Sequence, residues 1–214
     1  LYTPYMHEIT KHLIDFGYPS CEGNIMVSNP FWCKTVNDYK NEIAKWIEAP
    51  AIQNYMDLAI FFDSFAVAGN KELLINLKDD LFNKLHDKDV FMAYFAKATL
   101  AFETPSTVAN FMTKTHNIDI KKAAVFPIVQ GIRSLALREK IRETTTVKRI
   151  KILEEKKVLQ KDKAAELIEA FDVVNNLRLK AQLEHIQDGK KINNEVDTHT
   201  LGKIERDLLK DSFK

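Results

Sequence analysis

The sequence predicts a mainly α protein: an antiparallel bundle of eight or nine helices with a short N-terminal strand and a small β-hairpin. Three observations lead there. Six Gly and six Pro in 214 residues are too few for a turn-rich β fold. Leu, Ile, Lys, Glu and Ala, which lose little freedom in a helix, are abundant. Apolar residues recur at three- and four-residue spacing along most of the chain. With 45% hydrophobic and 29% charged residues, a chain of this length can bury a full core.

Thr3-Pro4 is a cap and first-turn pair, and Tyr5, Ile9, Leu13 and Phe16 then recur at helical spacing until Gly17-Tyr18-Pro19 stops the helix. Residues 24–28 are apolar, end at Asn29-Pro30 and read as the short strand. Val36, Tyr39, Ile43 and Ile47 share one face of a helix over 35–47, closed by Pro50. Further helices are expected at 51–68, 71–85 and 89–102, bounded by Gly69-Asn70, by a cap at Asp87 or Asp89, and by Pro105. Over 106–121 the helical period fades around His116-Asn117, which predicts the hairpin. Helices resume at 123–142, 146–156, 162–187 and 198–213, with loops at 157–161 and 189–197.

Charge and cysteine content exclude several classes of function. Thirty-one basic against 30 acidic residues leave a net +1, so no global field draws the protein to nucleic acid or to a membrane. The longest apolar stretch, 123–137, is short for a bilayer span, contains Arg133 and Pro127, and reads as a buried helix. Cys21 and Cys33 can build neither a disulfide framework nor a four-cysteine zinc site. A cytoplasmic protein with two reduced thiols is the expectation. The histidines of His7-Glu8-Ile9-Thr10-Lys11-His12 stand five apart, which turns them to different helix faces, so no metal site is expected. None of the glycines falls in a dinucleotide, P-loop or hydrolase-elbow pattern. The lysines of 148–163 are interleaved with Glu154 and Glu155 and lack aromatics for base stacking.

Polar residues that interrupt apolar faces are the candidate binding residues. Asp63 sits in the apolar run 55–67 and needs a cationic partner, since an unpaired buried charge costs several kcal/mol, roughly. Arg133, alone in the run 125–135, is the mirror case and a candidate partner. The stripe Ala164, Leu167, Phe171, Val174 continues into Arg178, Gln182 and His185, so one helix face turns polar as a cleft wall would. Asp119-Ile120-Lys121-Lys122 precedes a helix start, where free N–H groups and Lys121 could hold an anion, or where Asp119 could simply cap. Asp63, Asp119, Lys121, Arg133, Arg178 and Gln182 are therefore the candidates, with no catalytic residue assigned.

Taken in order, Gly17-Tyr18-Pro19-Ser20-Cys21-Glu22-Gly23-Asn24-Ile25-Met26, Ser28-Asn29-Pro30-Phe31-Trp32, Phe61-Phe62-Asp63 with Gly69, Asp119-Ile120-Lys121-Lys122, Pro127-Ile128-Val129, Arg133, Thr145 with Arg149, Leu177-Arg178-Leu179 with Gln182-Leu183, and Asn194 with Val196-Asp197 form a recognisable series. The chain resembles the putative nucleotidyltransferase substrate-binding domain over essentially its whole length. Phe65 departs from the family pattern, which places an Arg two residues after the aspartate.

The resemblance implies a domain that follows a polymerase-β-like catalytic domain similar to that of PII-uridylyltransferase, often with CBS and cyclic-nucleotide-binding-like regulatory domains. It also implies Mg²⁺, a nucleoside triphosphate, and a protein or small-molecule acceptor for the full-length enzyme. That chemistry uses a Gly-Ser turn for the triphosphate and a D-x-D pair for Mg²⁺. The present sequence has no Gly followed by Ser or Gly, so catalysis is expected upstream and the chain alone is expected to be inactive. On this reading residues 1–34 link to the catalytic domain and 35–214 form the helical substrate-binding domain. The competing expectation is a non-catalytic helical interaction or signal-transduction module.

Overall fold

The computed structural model describes residues 3–49, 51–97 and 117–212. The fold is mainly α, with nine α-helices and one two-stranded antiparallel pair among the described residues. Helix α1 (Thr3–Asp15) ends where Gly17 takes a φ of +95°. Helix α2 (Val36–Glu48) starts at Thr35, whose hydroxyl accepts from the Asp38 N–H at 3.2 Å. Helices α3 (Ile52–Phe62), α4 (Lys71–Lys84) and α5 (Asp89–Lys97) follow, α4 capped by Asn70 through the Glu72 N–H.

Strand β1 (Asn117–Asp119) leads into a π-helical turn, Lys121–Val125, that continues as α6 (Phe126–Arg138). Pro127 stands where the π-turn passes into α6 and lacks the N–H that would carry on the turn's ladder, in which the Phe126 N–H bonds the Lys121 carbonyl. Then come α7 (Thr146–Glu155), the long α8 (Lys161–Gln187), β2 (Glu195–Asp197) and α9 (Lys203–Asp211).

Two apolar clusters organise these elements. The larger is built on Ile43, Trp46, Leu58, Phe62, Leu81 and Phe95, and reaches across α6 and α7 to Ala164 at the start of α8. Each such side chain contributes roughly 1.5–3 kcal/mol by leaving water, and the rings of Trp46 and Phe61, 6.0 Å apart, interlock α2 with α3. The smaller cluster joins Ile120, Ala124, Val174, Leu177, Val196 and Leu209, binding the π-turn, α8, the strand pair and α9 together. Ile128 packs against both.

The structure corrects several sequence expectations. Residues 24–28 form turns and no strand: Asn24 takes a φ of +54°, the Asn29 amide donates to the Asn24 carbonyl at 2.9 Å, and no edge is offered for pairing. The helix expected over 51–68 stops at Phe62. The expected hairpin falls partly on residues 106–116, outside the described residues, and its remaining half pairs elsewhere. Ile118 stands opposite Val196, in a stretch expected to be loop. Alternation of only three residues on each strand left this long-range pairing invisible to periodicity. The last helix begins at Lys203, since Thr198 follows β2 directly. No helix among the described residues is long and apolar enough to cross a membrane.

Candidate functional site

The six candidates fall into two groups, at opposite ends of α6 and its π-turn. The first group gathers on Asp63, the C-cap of α3. Arg133 of α6 donates from Nε to Asp63 Oδ2 at 2.9 Å, and its Nη2 also reaches that oxygen. Its Nη1 is held by Gln130 Oε1 at 2.5 Å. On the other side, Arg149 Nη1 of α7 donates to Asp63 Oδ1 at 2.6 Å and its Nε to the Glu143 carbonyl at 2.5 Å. The partner anticipated for Asp63 is therefore present, together with a second that was not. Phe65 is 69% exposed, and the cations that meet Asp63 are Arg133 and Arg149.

Lys78 of α4 joins this cluster. It is only 4% exposed, and its Nζ donates to the Ser64 carbonyl at 2.6 Å. Burial, reinforced by the nearby Arg149 charge, pulls its ammonium down to about 8. Burial likewise lowers Arg149, which is 1% exposed, against the opposing pull of Asp63. Three cations thus gather at the end of α3, two on the Asp63 carboxylate and Lys78 on the Ser64 carbonyl, where a helix dipole favours positive charge. The Phe62 ring shares the load, 4.5 Å from the Arg149 guanidinium carbon and 5.8 Å from Lys78 Nζ. Glu143, held down to about 2 by the Thr145 and Thr144 N–H groups it accepts from, stays anionic beside them.

Lys78 and Arg149 are the residues that sequence reasoning missed. Arg149, a landmark of the family resemblance, lies in a Lys-rich run weighed only as a nucleic-acid patch, yet it shares a helix face with Ile150 and Leu153, both fully buried. That spacing was the available signal. Lys78 likewise follows Leu77 and precedes Leu81 on the buried face of α4.

The second group lies where α8 meets the strand pair. Arg178 Nε donates to Asn194 Oδ1 at 2.8 Å, and Gln182 Nε2 to the same oxygen at 3.3 Å. The Asn194 carbonyl accepts the Ile120 N–H at 3.0 Å, which brings Lys121, the next residue, to this corner. Lys121 Nζ lies 5.4 Å from the Phe126 ring. Asp119 acts as a cap, accepting the Lys122 N–H at 3.1 Å, with Lys122 Nζ at 3.5 Å from its other oxygen.

The half-buried Arg178 forms no ion pair among the described residues; a neutral amide holds it. His185, one turn further along the same face, has a buried Nδ1 without a hydrogen-bond partner among the described residues. No group of three or more His, Cys, Asp or Glu among the described residues is placed to hold a metal ion.

The longest helix among the described residues, α8, carries Arg178, Gln182 and His185 along one face. The C-terminal part matches the family described as putative nucleotidyltransferase substrate binding domain over residues 89–214, more than half of the chain, and the protein belongs to that family. A second family, described as a putative nucleotidyltransferase, matches residues 2–53. Asp63 and Lys78 lie between the two matched stretches, whereas Asp119, Lys121, Arg133, Arg149, Arg178 and Gln182 lie inside the first. No curated protein and no solved structure matches the chain.

Proposed function

We propose that this chain is the helical substrate-binding part of a PII-uridylyltransferase-like nucleotidyltransferase, cytoplasmic and regulated through linked CBS-type domains. It orients the nucleotide or the protein or small-molecule acceptor over a catalytic unit of the same polypeptide. The observation that carries the reading is Arg178: a half-buried arginine held by Asn194, whose side-chain oxygen also accepts from Gln182, has guanidinium N–H groups left for an anionic ligand. Lys121 adds a second cation at the same corner, and Asp63 and Arg133 fix the helices that present it.

Helix α1 supports the partner. It lies in the stretch matched by the nucleotidyltransferase family, buries none of its residues and leaves Tyr5, Ile9 and Leu13 exposed in a stripe. The remainder of the catalytic unit would cover that stripe and supply the carboxylates for Mg²⁺. The metal offsets phosphoryl charge when bound; the residues described here bind and orient.

Titration of nucleoside triphosphates with Mg²⁺ into the protein carrying its catalytic unit tests this. Replacing Arg178 and Gln182 by Ala should weaken binding or transfer at least tenfold, and Asp63→Asn with Lys121→Ala should also reduce it. Unchanged affinity and transfer in both variants would remove the site. A second reading, a non-catalytic interaction module, has its own support in the exposed stripe Leu179, Leu183 and Ile186 on α8. It requires partner capture that Leu183→Glu abolishes and the Arg178 and Gln182 variants leave intact.

A further inference from the structure

Between the 24–28 turns and helices α2, α3 and α4 lies a cleft of about 470 Å³, away from the α8 face. Trp32, Tyr39, Phe61, Leu74 and Leu77 form its walls. Tyr39 is fixed there by donating its hydroxyl to the Trp32 carbonyl at 2.6 Å, and the Trp32 and Phe61 rings both pack within 6.4 Å of Trp46. The wall is thus preformed. The early end of α3 completes it: the chain leaves the helix, and Ser64, Ala66 and Ala68 line the cleft while Phe65 and Val67 are exposed.

The polar lining is one-sided. Lys34, Ser64 and Asn70 supply polar side chains besides the Tyr39 hydroxyl, and no carboxylate is among the lining residues, with Glu42 standing behind Lys34. Asn70 spends its oxygen on the cap of α4, which leaves its amide as a donor. Lys34 Nζ lies 4.2 Å from the Phe31 ring and forms an ion pair with Glu42 at 3.6 Å, a carboxylate it shares with Lys45 at 3.8 Å. One carboxylate contact leaves the ammonium, with its three N–H groups, further donors. A cavity of this size with aromatic walls, a cation and amide donors suits a small molecule of matching polarity.

The geometry points to a binding site for a small organic acid: a flat apolar ring body against Trp32, Tyr39 and Phe61, with its carboxylate or other single anionic group on Lys34 and Asn70. This site is independent of the nucleotide reading of the α8 face. A neutral ring compound would fill the same space without an ion pair, and a bulky peptide would not enter.

Calorimetric titration of the chain with 2-naphthoate and with its neutral isostere naphthalene-2-carboxamide separates these cases. The acid should bind at least tenfold more tightly than the amide. Lys34→Met, which keeps the apolar stem, should bring the acid down to the amide's affinity. Ala66→Phe, which fills the cleft, should weaken both at least tenfold in a protein with an unaltered circular dichroism spectrum. Should that variant fail to fold, the Lys34→Met comparison decides alone. Equal affinity of acid and amide, absence of binding by both, or a preference that survives Lys34→Met would overturn the assignment.

Discussion

Asp63 and Asn194 each accept hydrogen bonds from an arginine on a long helix, but they leave the protein in different electrostatic states. Around Asp63 the charges are internal to the fold: a carboxylate, two guanidiniums and an ammonium, all at least partly buried, tie α3, α4, α6 and α7 together. At Asn194 the acceptor is neutral, so the Arg178 charge is oriented but not neutralised. Orientation without neutralisation leaves the Arg178 guanidinium open to an anionic ligand with no carboxylate to displace first. The contrast predicts that the first cluster governs stability and the second governs binding.

The largest effect belongs to Arg149→Ala. Removing one partner of a buried pair leaves Asp63 undercompensated and typically costs about 3–5 kcal/mol. Urea unfolding should show it as a lowered midpoint with an unchanged slope. Arg149→Lys should recover only part, since an ammonium cannot serve Asp63 Oδ1 and the Glu143 carbonyl as a planar fork does. A loss below about 1 kcal/mol for the alanine variant would place this cluster among weak surface pairs and break the comparison.

Lys78 gives the next effect, and it depends on pH. Its folded-state value of about 8 lies below the ordinary 10.5, so between these two values the unfolded chain binds more protons. Stability contributed at this site therefore rises as pH increases from about 8 towards 10.5, by roughly 2–3 kcal/mol. Lys78→Met removes the titration, and the difference in unfolding free energy between wild type and variant should climb across that window. A flat difference would mean that the ammonium is better solvated than its 4% exposure implies.

The two clusters also differ in how far the sequence exposed them. Asp63 and Arg133 were legible because each breaks a long apolar run, and a buried charge demands a partner. Arg149 was hidden by its neighbours Lys148 and Lys151, although its face-sharing with Ile150 and Leu153 marked it as buried. The helices themselves followed from periodicity, with ends set by Thr35, Asn70 and Gly17 as local capping chemistry requires. The stop of α3 at Phe62 was not legible, because residues 63–68 remain as apolar as a helix would be. It follows from tertiary contacts: Lys78 draws the Ser64 carbonyl out of the helical ladder. Helix α1 is the reverse case. Its stripe has the same spacing as that of α2, where Ile43 and Ile47 are buried, yet none of its own residues is buried. Periodicity announces an apolar face without saying what covers it.

The smallest expected change in stability is the most informative about function. Arg178→Ala deletes one charge-assisted hydrogen bond at a half-buried position, and the Asn194 oxygen keeps Gln182 as a donor at 3.3 Å. The cost should therefore be about 1 kcal/mol, and β1–β2 pairing should persist through the Ile120 N–H bond to Asn194. Amide exchange at Ile120 checks that directly. If the arginine is reserved for a ligand, the same substitution should reduce anion affinity far more than it reduces stability. Inorganic pyrophosphate should then raise the melting temperature of the wild type and leave that of the variant unmoved. A loss of several kcal/mol without ligand would instead make Arg178 a brace like Arg149, and the distinction between the clusters would collapse.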